Sequence, residues 1–470
     1  MAVCRRARET RMDCSDARAP REATHRLVPG WSRLALSVFV GAATLVGAGC
    51  SRKGGSSTAG LRLWYWMTDR EDAFNELAKR YKQEHGVDVR CELYAPSDLY
   101  SQKVRAAAQT DGLPDIYGVL GELRDVASFV KAGHVLSLTD ALEANNKEWE
   151  KVFFPVALEM NRFKPGNNYA APPGTYGVPI DVMNIQVFYN KKLLKELGLD
   201  PEHPPQTWDA FLDAGKRAKA KGMTGFVSGW AELWMVDCFA TNYAVHLMGM
   251  EKVAATFRGE RRYTEPEWIA VLHLFEQMRD SGLLADGIVT MGNKQAEQLF
   301  ANEQAVFAFN GTWGVNVFQS MNPNLDYGVM MLPVVDKSRP MVTWGGAGSS
   351  FMVNAKSQKA AQAVDFLKWL TAEPQQRYLL EQTNNIPANQ LAATNLPPKL
   401  AAFADAMKSV IHPRLFDVQE RSVVIEGFDK GIQSILIGEQ TPLQVAQAVQ
   451  QVKQREEARQ ASLQSDHATR

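Results

Sequence analysis

Between residues 61 and 120 the hydrophobic period alternates between strand and helix, and few folds accept that pattern. Leu61–Met67 (LRLWYWM) is an apolar run of strand length. Phe74, Leu77, Ala78 and Tyr81 then recur at helical spacing, with Asp72 or a neighbour as the cap and Gly86 as the stop. A second strand is read over Val87–Tyr94 and a second helix over Leu99–Ala108. Pro114 and Asp115 introduce a third strand, Ile116–Leu120, closed by Gly121. The order βαβαβ predicts an α/β fold with a parallel sheet covered by helices. In such sheets ligands bind just beyond the carboxyl ends of strands, so residues that follow strands are the first candidates for a site.

The remainder continues in the same style. A helix is expected over Glu122–Ala132, followed by an irregular segment marked by Pro172, Pro173, Gly174 and Gly177. Val178–Asn190 reads as one long strand rich in β-branched and aromatic residues. After the helix Lys191–Leu197, Thr207 is placed to cap Trp208–Lys221. Gly225–Gly229 is a short strand ending at Trp230, with helices over Leu233–Met248, Trp268–Ser281 and Lys294–Phe300. Ala305–Phe309 is apolar and too short for a helix, and it runs into Asn310-Gly311-Thr312-Trp313. Strands follow at Tyr327–Leu332 and Ser350–Val353, separated by the glycine break Trp344–Gly348. Ala360–Leu370 is a helix, the chain from Leu391 is mostly helical, and the end frays over 461–470. Periodicity alone suggests a single domain cut near Val178.

Residues 1–49 read as an export signal. They carry eight arginines against four acids, then the apolar run Leu34–Val46 and small residues before Cys50. That run is shorter than the ~20 residues a membrane span needs. Gly47-Ala48-Gly49-Cys50 resembles a bacterial lipobox, which implies that Cys50 receives lipid and becomes the mature N-terminus. The pattern departs at Gly47, where Leu or Val is usual. The long front end places the expected start downstream, at Met12 or near Val28. Residues 50–60, rich in Gly and Ser, form a flexible tether.

Past residue 49 there remain 44 basic and 48 acidic side chains, a net charge of −4 with no basic block, which argues against nucleic acid as a partner. Five cysteines are too few for a disulfide scaffold, so Cys91 and Cys238 are read as buried free thiols, with a bridge between them as the alternative. The eight histidines show no HExxH or other metal-ligand spacing, so no metal and no cofactor are expected. No nucleophile elbow, phosphate loop or dinucleotide fingerprint is present either.

Several stretches together carry a resemblance. They are LRLWYWM, LPDIYGV (113–119), YGVPIDVMNIQVFYNKKLLKELGLDP (176–201), TWDAF (207–211), LFANEQAVFAFNGTW (299–313), YGVMMLPVVD (327–336) and WGGAGSSFMVNAKSQKAAQAVDFLKWLTAEPQQ (344–376). In this order and spacing the chain resembles the bacterial extracellular solute-binding proteins, in the sugar-binding branch related to maltose-binding protein. The resemblance implies a periplasmic-binding-protein-like fold, two α/β lobes joined by crossing hinge segments with a ligand cleft between them. The lobes would be 60–183 plus 346–395 and 184–345 plus 396–460, closing on the ligand by hinge motion. It also implies the substrate-binding component of an ABC importer, a monomer that hands solute to membrane permease subunits. The protein would be exported, periplasmic or at the cell surface, and moored by its lipid.

Sugars present apolar C–H faces and many hydroxyls, so a site needs aromatic plates beside carboxylates or amides. Trp66 and Asp69 follow the first strand, though alternation also suits Trp66 to the core. Glu122 follows the third strand and is either a ligand acceptor or a helix-start charge. Asp181 lies in the crossing strand, where it serves ligand or pairs with an arginine. Asp115 suits a turn as well as a site. Trp230 and Glu232 follow a strand, Asn310 and Trp313 follow the next, and Trp344 with Gly345 offers a plate with close backbone approach. The competing class is an exported glycosidase using Asp181 with Glu122 or Glu232. A further alternative is a ligand sensor for a chemosensory receptor. Within the binding class, few basic residues beside the tryptophans favour a neutral mono- or oligosaccharide. A polyamine or a glycerophosphodiester remains the alternative ligand.

Overall fold

A computed structural model describes residues 60–468 apart from 96, 122, 168 and 417. The export segment, Cys50, nearly all of the tether and Glu122 lie outside the described residues. The βαβαβ unit forms as expected. Leu61–Tyr65 runs parallel to Val89–Leu93 on one side and Ile116–Tyr117 on the other. Helix Glu71–His85 buries Ala73, Phe74, Leu77, Ala78 and Tyr81. Gly86 ends it with a φ of 70°, its N–H reaching the Lys82 carbonyl. Asp72 does not cap this helix. Arg70 holds the cap position without a side-chain bond, and Asp72 sits in the first turn, where a carboxylate favours the helix dipole. The third strand stops after Tyr117 because the Gly118 N–H donates to the Tyr100 hydroxyl at 2.8 Å.

Val178–Asn190 is two strands. Val178–Pro179 closes the first sheet, whose order is 89–93, 61–65, 116–117, 350–353, 178–179, while Asp181–Asn190 is the central strand of a second sheet. Ile180 carries the chain across. Both parts are buried, so the apolar run shows no seam in the sequence. A second crossing lies antiparallel beside it, from strand Thr343–Ala347 to strand Ser350–Val353. The Ile180 N–H donates to the Ser349 carbonyl at 2.8 Å and the Gly348 N–H to the Asp181 carbonyl at 3.0 Å. The glycine run is therefore a strand and not a break. A side chain at Gly345 would lie 2.4 Å from the Met183 carbonyl oxygen, so only glycine permits the approach. At Ile386–Pro387 the chain returns to pair with Val182 and Asp181.

The second sheet runs 410–411, 343–347, 181–190, 305–311, 224–227. Two polar side chains of its central strand are bonded: Asn184 Nδ2 donates to the Phe403 carbonyl at 2.7 Å, and Gln186 Nε2 to Asn184 Oδ1 at 2.8 Å. Thr207 caps Trp208–Ala220 as the sequence suggests. Helices Met250–Phe257 and Gly314–Met321 are additions to the elements expected from the sequence. The last helix continues to Ala468, past the expected fraying point at 461. Cys91 and Cys238 are both free. Cys91 is half-buried, not buried as expected, and desolvation raises its thiol to about 12. Among the described residues no helix is long and apolar enough to cross a membrane, and no group of His, Cys, Asp and Glu has the geometry to hold a metal.

Candidate functional site

Two crossings and two strand ends surround a cavity of about 710 Å³. Trp66 enters it just after strand Leu61–Tyr65, and Trp313 just after strand Ala305–Gly311. Both are half-buried. Thr68, Asp69, Ser97, Asn316, Ser349 and Asn385 add hydroxyl, amide and carboxylate groups to the wall. The lining thus combines apolar plates with short polar arms, which suits a polyhydroxylated ligand.

The floor carries a buried ion pair. Arg70 donates to Asp181 Oδ2, and Asp181 Oδ1 accepts the Ser349 N–H of the neighbouring crossing. Burial works against the Arg70 charge, but Asp181 and Asp69 outweigh it and hold the guanidinium pKa raised. Asp181 is 6% exposed and its carboxylate is already engaged, so the arginine-pairing reading holds for it. Asp69 is exposed at the rim and accepts from Asn385 Nδ2 at 2.9 Å.

Trp313 is fixed from three sides. Its ring lies over Gly311, where a Cβ would come within 1.9 Å of it. Its Nε1 donates to Glu297 Oε1 at 3.2 Å, and its ring stands 6.0 Å from that of Trp234 at an interplanar angle of 48°. Glu297 is buried, and desolvation raises its carboxyl against the bonds from Asn310, Trp313 and Asn293.

A second chamber of about 680 Å³ includes Trp234, Tyr263, Trp268, Trp344, His412 and Asp237 in its walls. Trp344 packs on His412 with 4.2 Å between ring centroids. His412 Nδ1 accepts the Arg414 N–H at 3.0 Å, and burial, with Arg414 nearby, pushes the imidazole well below its ordinary range. With Nδ1 accepting, the neutral tautomer compatible with this bond carries its proton on Nε2.

The first cavity brings together Trp66, Asp69, Asp181 and Trp313. Trp344 lies in the second chamber, and Gly345 sits beside it, locked in its strand. Three expectations need correction. Trp230 is fully buried against Phe226, Phe239 and Phe275, in the core and in neither cavity. Asn310 is 2% exposed, its amide spent on Glu297 and the Gly311 N–H. Glu232 holds the Trp234 indole at 3.0 Å and the Asn293 N–H at 2.9 Å. Asp115 is structural, accepting the Arg62 N–H at 2.8 Å and the Ser357 hydroxyl. Reasoning from sequence missed Arg70, Trp234 and Glu297. For Glu297 a signal existed, a carboxylate on the buried face of a helix beside Ala296 and Phe300.

Comparison with known proteins adds an independent line. The family model described as bacterial extracellular solute-binding protein matches residues 76–407. The chain is similar to a multiple sugar-binding protein of Streptococcus mutans, 26% identical over 279 residues, 57% of this chain and 60% of that one. It is also similar to an sn-glycerol-3-phosphate-binding periplasmic protein of Brucella melitensis, 22% identical over 74% of this chain and 77% of the relative. Among solved structures, a chitin oligosaccharide binding protein superposes with a TM-score of 0.69 and 22% identity, covering 84% of this chain and 98% of the other.

Proposed function

The chain belongs to the bacterial extracellular solute-binding proteins, and on that premise we propose that it captures a neutral oligosaccharide for an ABC importer. The observation that carries this reading is that Trp66 and Trp313 line one cavity together with short hydroxyl and amide groups. Two plates and several bidentate polar arms match a pyranose ring, whose faces are apolar and whose rim is polar. Chamber size favours more than one sugar unit, since the second chamber begins where Trp234 meets Trp313. In this proposal Trp66, Asp69, Trp313 and Trp344 contact ligand, and Asp181 supports the floor through Arg70.

The lobes, 60–183 plus 346–395 and 184–345 plus 396–460, close about the crossings at Ile180, Ser349 and Pro387. Closure creates the surface that permease subunits recognise. Lipid on Cys50 and the following tether would hold the monomer at the outer face of a membrane. No turnover is proposed. Both described carboxylates of the glycosidase alternative, Asp181 and Glu232, already accept hydrogen bonds from donors of the protein itself. An anionic ligand such as a glycerophosphodiester is disfavoured because the cation of this cavity, Arg70, is already neutralised by Asp181.

A thermal-shift panel of neutral oligosaccharides, polyamines and glycerophosphodiesters tests the reading. A ligand at a hundredfold excess over its dissociation constant stabilises the folded state by about 2.7 kcal/mol. The expected hit is a neutral oligosaccharide recovered intact. A hit confined to polyamines or phosphodiesters would remove the sugar, and hydrolysis products would remove the binder.

A further inference from the structure

The indole N–H groups of the two facing tryptophans are each tied to a glutamate. Trp234 Nε1 donates to Glu232 Oε2 at 3.0 Å, and Trp313 Nε1 donates to Glu297 Oε1 at 3.2 Å. One residue joins the two carboxylates. The backbone N–H of Asn293 donates to Glu232 Oε1 at 2.9 Å, and its side-chain Nδ2 donates to Glu297 Oε1 at 2.9 Å. The chain Trp234–Glu232–Asn293–Glu297–Trp313 is thus continuous, and it spans two helix starts and a strand end.

We propose that Asn293 is a positioning residue that locks Trp234 and Trp313 into one rigid bracket, so that both indoles meet a ligand at a fixed mutual angle. The surroundings are shaped for it. A Cβ at Gly229 would lie 2.6 Å from the Asn293 Cα, so glycine there admits the Asn293 backbone to Glu232. Asn293 Oδ1 is buried without a hydrogen-bond partner among the described residues. A buried acceptor left unmade costs free energy, so the amide orientation is held for the bond to Glu297. Trp234 is 42% exposed, yet its indole is anchored at the nitrogen and faces Trp313. An exposed aromatic with a fixed plane is a pre-organised contact, because less side-chain freedom is lost when ligand arrives. Glu232 and Asn310 accordingly act through the tryptophans and not on the ligand.

The consequence for affinity rests on the oligosaccharide reading, whereas the bracket itself does not. The test therefore begins with the ligand-free full chain. Near-UV circular dichroism should show a couplet from the indole pair, identified by its loss in both Trp234→Phe and Trp313→Phe. Asn293→Ala and Glu297→Gln should weaken that couplet and raise acrylamide quenching of tryptophan fluorescence, with melting temperature little changed. Binding of a neutral oligosaccharide by the same variants should then weaken about tenfold or more. If Asn293→Ala unfolds the protein, Asn293→Ser carries the same expectation. An unchanged couplet in the folded variants overturns the bracket, whether or not the melting temperature falls. A weakened couplet in a protein that binds no sugar keeps the bracket and discards the sugar.

Discussion

Strands Thr224–Val227 and Ala305–Gly311 lie side by side and parallel, and each runs within three residues into a tryptophan. Trp230 ends in the core, while Trp313 ends in the cleft. Position after a strand is the same in both, so it does not decide which ring is buried and which lines the cavity. Local chemistry differs. Trp230 is ringed by phenylalanines, and its indole nitrogen has no hydrogen-bond partner among the described residues. Trp313 lies over a glycine, is tethered by a carboxylate and faces a half-exposed partner ring. Trp313 thus combines a polar anchor with an absent side chain beneath its ring, whereas Trp230 sits in an apolar cage.

The contrast can be broken by substitution. Trp230→Ala should cost about 3–5 kcal/mol of stability in urea unfolding, as large-to-small core changes do. Normal stability with lost binding would reverse the roles assigned to the two rings. Trp313→Ala should fold with a much smaller loss and raise the dissociation constant for a neutral oligosaccharide by about 2 kcal/mol, roughly thirtyfold, measured by calorimetry. Gly311→Ala comes next. Its methyl would drive the Trp313 ring from its place, so affinity should fall severalfold with about 1–3 kcal/mol of overpacking cost.

The smallest expected effect is on pH dependence. Burial raises the Glu297 carboxyl above its ordinary value near 4.5. Between that value and the raised one, the folded protein holds a proton that the unfolded chain has released. The stability from Glu297 is thus full below pH 4.5 and declines as pH rises through the raised value. Other carboxylates, such as Glu92 and Glu267, are shifted down and slope the opposite way, so the informative quantity is the difference between wild type and Glu297→Gln. That difference should vanish at the Trp230 site, where Trp230→Phe leaves the slope unchanged.

Much of the fold was legible because its periods are clean. Helix Ala360–Leu370 and strand Ser350–Val353 appear with the expected bounds. The passage at Ile180 was not, since a run buried in both sheets has no polar seam to betray it. The site was legible in part. Trp66, Asp69, Asp181 and Trp313 meet in one cavity, but the sequence offered no way to see that Arg70 would reach Asp181 across 111 positions. Trp230 and Trp234 are four residues apart, and only the packing of helix Leu233–Met248 decides which of them meets solvent.

Isothermal titration of the full chain against neutral oligosaccharides, with Trp313→Ala alongside, goes most directly to the role of the cleft. Saturable one-to-one binding, the sugar recovered intact and the heat lost in the variant is the predicted result. Equal binding by Trp313→Ala, or no heat from any neutral saccharide while a polyamine or phosphodiester saturates the protein, would contradict it.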